Sequence, residues 1–239
     1  MTRTILLFDV DGTLVLSGGA GARALDRAFQ ALHGVAGGME GIGFGGKTDP
    51  AIVREIFHKK LGRAPAPAEM EAIYHAYVPY LEEEVIASRT FVVMPGVASL
   101  LADLSARTDV LLGLVTGNIE EGARIKLARP GLIRHFRFGG FGSDSEDRDH
   151  LTRIGLERGR ALARGMRRGA GHAAPAAGER VIVVGDTPHD IKAGRSVGAL
   201  TVAVATGSVL YEALAIDSAD LVLRDLSDPA PLLALIERG

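Results

Sequence analysis

The chain has 239 residues, 47% hydrophobic and 23% charged, with a formal net charge of −2 and no cysteine. Such a balance belongs to an ordinary globular protein with room for one large domain, or one domain carrying an inserted second. It offers no electrostatic case for nucleic acid or an anionic membrane as partner, and it excludes disulfides, thiolate catalysis and Cys-based zinc sites.

The apolar run Ile5–Phe8 reads as a first, buried strand. It is too short to be the apolar core of a signal peptide, and no run approaches membrane-spanning length, so a cytoplasmic location is expected. The stretch from Leu14 to about Ser88 contains no convincing strand. Ala22–Leu32 reads as a helix closed by Gly34. Asp49 is a plausible N-cap with Pro50 at the first helical position of a second helix, closed by Gly62. Pro67–Ala87 is helical in pattern, with Pro79 expected to kink or split it. Helices without a strand, inserted directly after the first strand, predict a small helical bundle able to cover a site and move over it.

Beyond this insertion the pattern changes. Pro95–Ala106 reads as a helix with Pro95 at its first position and Val97, Leu100, Leu101 and Leu104 on one apolar face. Val110–Val115, Val181–Val184, Leu200–Val204 and Leu221–Leu223 read as strands, and Phe136–Phe141 as a weaker, Gly-interrupted one. Helices are predicted at Ile119–Ala128, Leu151–Met166 and Pro188–Val197, the last ended by Gly198. Gly165–Gly178 reads as a flexible surface loop. The arginines at 153, 158, 160, 164, 167 and 168 read as a solvated helix face. Alternating strands and helices predict an α/β fold with a doubly wound parallel sheet. The expected division is a core of residues 1–16 and 89–239 with a helical cap of residues 17–88.

Chemistry concentrates at three predicted strand ends. Asp9-Val10-Asp11-Gly12-Thr13-Leu14 follows the first strand, where open α/β sheets build their sites. Two acids so close are costly unless a cation or proton traffic uses them. Thr116-Gly117-Asn118 follows the next long strand and joins a hydroxyl to backbone N–H groups at a helix N-terminus, a good anion site, although Thr116 alone also suits an N-cap. Gly185-Asp186-Thr187-Pro188-His189-Asp190 places Asp186 at a strand tip and Asp190 one helical turn later; either alone also suits a cap. Together with Asp9 and Asp11 they make four carboxylates around one spot. A divalent cation with oxygen preference, most simply Mg²⁺, resolves that repulsion.

These strings resemble the motifs of the haloacid dehalogenase-like hydrolases, in particular phosphatases of the phosphoglycolate phosphatase type. The Asp9–Leu14 string is similar to the first motif, Thr116 to the second, and the Gly185–Asp190 string to the acidic fourth. The resemblance spans essentially the whole chain and implies a Rossmann-like core with an inserted helical cap. The third motif departs: the family places a Lys before the helix preceding the fourth motif, and this chain has none. Arg148 stands at the matching distance and takes the cationic role here, with Arg153 as the second possibility. Arginine keeps its charge and offers a bidentate fork, so the exchange is not neutral.

The resemblance implies Asp9 as a nucleophile forming an aspartyl-phosphate and Asp11 as general acid and then base. It implies Mg²⁺ held by Asp9, the Asp11 main-chain carbonyl and Asp186, with Asp190 close by. Thr116, Gly117, Asn118 and Arg148 would grip the phosphoryl oxygens. Asp11 favours a phosphate ester or anhydride over a haloacid or phosphonate, and Thr13 mildly favours a phosphatase over a mutase. Lys47, in the Gly-rich loop Gly43–Asp49, is placed to reach a second anionic group of the substrate, or is a solvated surface lysine.

The expected activity is Mg²⁺-dependent hydrolysis of a small phosphorylated metabolite, phosphoglycolate-like or a sugar phosphate. The alternatives are a phosphomutase of the β-phosphoglucomutase type and a non-catalytic phospho-ligand-binding protein. No nucleic-acid or membrane partner is expected, and monomer and homodimer both stay open.

Overall fold

The computed structural model describes residues 3–169, 178–216 and 219–237. Six parallel strands form one sheet in the order β5-β4-β1-β6-β7-β8, with β1 Arg3–Phe8, β4 Val110–Thr116, β5 Gly139–Phe141, β6 Glu179–Gly185, β7 Leu200–Val204 and β8 Leu221–Leu223. Strand β1 lies between β4 and β6, with Phe8 opposite Leu114 and Val184. Its carboxyl end therefore sits beside those of its two neighbours, and the three chemistry-bearing strings leave the sheet side by side.

The sheet is covered on both faces, as alternating side chains along β1 require. Leu6 and Phe8 pack with α4 (Val97–Ser105), α5 (Glu120–Ala128) and α9 (Ala230–Glu237). Ile5 and Leu7 point the other way, to Leu151 and Leu156 of α6 (Arg148–Gly169). Helix α7 (Pro188–Ser196) follows β6, and α8 (Tyr211–Ile216) precedes β8. No helix among the described residues is long and apolar enough to cross a membrane.

Above the carboxyl edge lie α1 (Ala20–His33), α2 (Asp49–Ile56), a π-helical turn over 57–61 and α3 (Pro67–Ala87). They bury their own cluster, including Phe29, Ile56, Phe57, Ile73, Tyr77 and Leu81, to which α5 contributes only the preceding Ile119 and the half-buried Ile125.

Several local expectations change. The predicted strand-free interval holds β2 (Val15–Leu16), paired antiparallel with β3 (Val92–Val93), so the chain enters and leaves the helical layer through one short ribbon. Two-residue strands carry no periodicity to read. Pro79 neither ends nor splits α3, one helix on either side of it; burial of Met70, Ile73, Tyr77, Leu81 and Val85 along one stripe outweighs the lost hydrogen bond. Pro95 precedes α4 rather than starting it, because the left-handed Gly96 (φ 80°) is the N-cap. Thr48, not Asp49, caps α2 by accepting from the Ala51 N–H at 3.4 Å, which puts Asp49 inside the first turn. Helix α6 runs on to Gly169, overturning the first part of the predicted 165–178 loop; residues 170–177 of that loop lie outside the described ones.

The arginine face of α6 carries ion pairs at its surface, Arg158 with Asp144 at 2.7 Å and Arg160 with Glu179 at 2.8 Å. His135 receives or donates a hydrogen bond with Ser105 at 2.7 Å.

Candidate active site

The turn after β1 closes on itself. Leu14 N–H donates to the Val10 carbonyl at 2.9 Å, and Gly12 N–H to that of Val15 at 2.9 Å. Gly12 has φ +85°, and a Cβ there would lie 2.4 Å from an Asp186 carboxylate oxygen. Glycine is thus required both by the backbone and by the approach of the acid from the neighbouring strand. Thr13 Oγ1 donates to Asp186 Oδ1 at 3.1 Å, tying the two strand ends together. Asp9 is buried at the tip of β1, with its own N–H on the Val184 carbonyl at 2.9 Å.

One oxygen each from Asp9, Asp186 and Asp190 lie within 4.8 Å of one another. Burial, against the opposing pull of Arg148, raises the Asp9 carboxyl to about 7, with Asp190 and Asp11 pushing the same way. Burial and then the charges of Asp9 and Asp190 raise Asp186 to about 8. Crowded hard oxygens that hold protons this tightly fit a divalent cation of the Mg²⁺ kind, whose charge would replace those protons. Asp190 is the most occupied of the three. Its Oδ2 accepts from Thr187 N–H at 3.0 Å and Thr187 Oγ1 at 2.7 Å, so it is also the capping acid of α7. Its Oδ1 accepts from Arg148 Nε at 3.1 Å and from the same guanidinium's second nitrogen.

Arg148, the first residue of α6, brings its guanidinium to 3.0 Å from Asp9 Oδ1 as well. Its side chain is 11% exposed, and its Asp190 and Asp9 partners raise its pKa above the ordinary arginine value against the opposing effect of burial. Arg153, the alternative, is exposed.

The other wall is built from the turn after β4. Thr116 Oγ1 accepts from the Asn118 side-chain amide at 2.8 Å and its backbone N–H at 3.3 Å. That backbone N–H is thus engaged within the turn. The Asn118 amide also donates to Asp11 Oδ2 at 2.7 Å. The Gly117 carbonyl accepts the Asp49 N–H at 2.7 Å, which docks the helical layer on this turn. A Cβ on Gly117 would lie 2.3 Å from the Lys47 carbonyl oxygen.

Two residues of this wall were not among the expected site residues. Lys126 of α5 is buried, and its Nζ donates to Asp11 Oδ2 at 2.6 Å and Asn118 Oδ1 at 2.6 Å. The carboxylates of Asp11, Asp49 and Asp9 hold its pKa above the ordinary lysine value despite burial. Its signal lay in the helix: Gly122, Ala123, Lys126 and Leu127 share the buried side, and a lysine there demands a partner. Asp49 accepts the Ile119 N–H at 2.8 Å and so caps α5 from the helical layer. Burial pushes it up to about 6, with Lys126 pulling it down.

Lys47 contacts the cavity wall, but its Nζ pairs with Glu55. His189 is exposed, with its ring where a Gly46 Cβ would point. The site residues open into one cavity of about 370 Å³ between the sheet edge and the helical layer.

Comparison with known proteins agrees with this geometry. The family model for haloacid dehalogenase-like hydrolases matches residues 4–198. A phosphoglycolate phosphatase from Shigella boydii serotype 4 (strain Sb227) is 26% identical over 248 residues, covering 95% of this chain and 91% of that protein. Among solved structures, a predicted phosphoglycolate phosphatase from Haemophilus somnus 129pt superposes with a TM-score of 0.63 at 19% identity, covering 97% of this chain and 98% of its own. A candidate β-phosphoglucomutase from Bacteroides vulgatus gives 0.64 at 19% identity, over 98% and 88%. At such identities the structures share the fold alone.

Proposed function

The chain belongs to the haloacid dehalogenase-like hydrolases, and from that premise we propose that it is a Mg²⁺-dependent phosphatase acting on a small phosphorylated metabolite. The observation that carries the reading is the separation of two acids from one turn. Asp9 faces the guanidinium and the acidic cluster, while Asp11 faces Lys126 and Asn118. Two acids of one turn held by such different partners suit a nucleophile and a proton carrier.

In the proposed reaction an Asp9 oxygen bonds to phosphorus as the bond to the ester oxygen breaks. Asp11 gives its proton to the departing alcohol. Water then attacks phosphorus, its proton passes to Asp11, and the Asp9–phosphorus bond breaks to release phosphate. Asn118 and Lys126 hold Oδ2 of Asp11, which leaves Oδ1 for proton transfer. Arg148 keeps Asp9 oriented and supplies positive charge where the phosphoryl oxygens gather. Asp9, Asp186 and the Asp11 carbonyl would hold Mg²⁺, with Asp190 beside them; bound there, the ion neutralises charge so that one anion can approach another.

The test is phosphate release from a metabolite panel with Mg²⁺, comparing wild type with Asp9→Asn. Mg²⁺-dependent release abolished by that variant is expected. Release that survives it, or dependence on no metal, refutes the assignment. Isomerised sugar phosphate in place of free phosphate would mark a mutase.

A further inference from the structure

We infer that the substrate's alcohol portion is uncharged and predominantly apolar, rather than a second anion; this rests on the phosphatase reading above and names its substrate class. Besides Asp9 and Arg148, the apolar side chains of Leu16, Leu25, Met39, Phe44 and Ile52 line the cavity, together with the hydroxyl residues Ser17, Thr90 and Ser208. Of these, Phe44 is 62% and Leu16 40% exposed, and both stand in the wall of this cavity. Apolar surface left open in a concave site suits a ligand that covers it.

The charges argue the same way. The cations lining the cavity are Lys47, Lys126 and Arg148. Lys47 is paired with Glu55 on its own helical layer, Lys126 with Asp11 and Asn118, and Arg148 with Asp9 and Asp190 at the phosphoryl end. A substrate carboxylate or second phosphate would meet no unmatched cation among the described residues lining the cavity, and burying such a charge unpaired is expensive. The volume of about 370 Å³ equals roughly a dozen water volumes, more than a phosphoryl group and two carbons fill.

The experiment separates binding from turnover. Calorimetric Kd values are measured on the wild-type protein with Mg²⁺ for ethylphosphonate, hexylphosphonate and phosphonoacetate, which share a non-hydrolysable head group. A fully buried methylene is worth about a fourfold change in Kd. Because the mouth is open, hexylphosphonate is expected to bind at least tenfold tighter than ethylphosphonate, and phosphonoacetate no tighter than ethylphosphonate. Phe44→Ser, a change at an exposed position, should narrow the hexyl-to-ethyl ratio. Equal affinities along the chain length, preferred binding of phosphonoacetate, or binding of none of the three overturns the inference. Phosphate release from hexyl phosphate is read separately: the expected binding order without release would refute the phosphatase reading while leaving the cavity's preference standing.

Discussion

Lys126→Met keeps most of the side chain's volume and removes its charge. Two hydrogen bonds of 2.6 Å are lost, to Asp11 Oδ2 and Asn118 Oδ1. Bonds to charged groups contribute about 1.5–3 kcal/mol each, and the Asp11 bond counts for less because that side chain is 39% exposed. A loss of about 2–4 kcal/mol follows, or about 5–15 °C in Tm for a chain of this size. Asp49 gives the loss a pH signature. Its folded pKa of about 6 lies above the ordinary carboxylate value of 3.8, so the folded state holds that proton more tightly than the unfolded one. Its contribution to stability therefore falls as pH rises through this window. Without Lys126 the pKa climbs and the window extends upward. Each further pKa unit adds about 1.4 kcal/mol to the cost at pH 8 and almost nothing at pH 5, where Asp49 is already protonated. Thermal denaturation of wild type and variant at pH 5 and pH 8 measures this. The variant's deficit should be larger at pH 8, and Asp49→Asn in the same background should level the two. A deficit that is equal at both pH values, or larger at pH 5, refutes the electrostatic account. Turnover should also fall at least tenfold, as Asp11 loses one of its two anchors.

Three further changes address the rest of the site. Asp186→Asn should weaken Mg²⁺ binding by at least an order of magnitude in calorimetry, with chelation abolishing wild-type turnover and added Mg²⁺ restoring it. Arg148→Lys substitutes a point charge for a fork that meets Asp9 and Asp190 together; kcat/KM should drop about 10–100-fold with the circular dichroism spectrum unchanged, and full activity would show that the fork is dispensable. Gly117→Ala drives a Cβ to 2.3 Å from the Lys47 carbonyl oxygen, a backbone atom, and strains the Asp49–Gly117 hydrogen bond. About 1–3 kcal/mol of overpacking should appear as a raised KM or a lowered Tm, and a change in neither would mean that the helical layer does not seat on this turn.

The sheet was legible because buried parallel strands such as Val110–Val115 and Val181–Val184 write apolar character residue by residue, and because Asp9 and Thr116 follow such runs directly and Asp186 one residue later. Arg148 was legible for a related reason: the start of α6 sets its distance from Leu151, whatever the cation's identity. Boundaries were less so. Pro79 reads locally as a break, yet packing along α3 carries the helix through it. Pro95 reads locally as a helix start, yet Gly96 takes the left-handed turn that begins α4.

Short-range chemistry was thus enough to establish an α/β sheet, to place an acid at each of two strand ends, and to nominate a cation at the head of α6. The partnership of Lys126 with Asp11 and the capping of α5 by Asp49 seventy residues earlier became definite only with folding. The reason is that a side chain's charge is written in its own residue, whereas its partner is chosen by whichever distant surface excludes water from both.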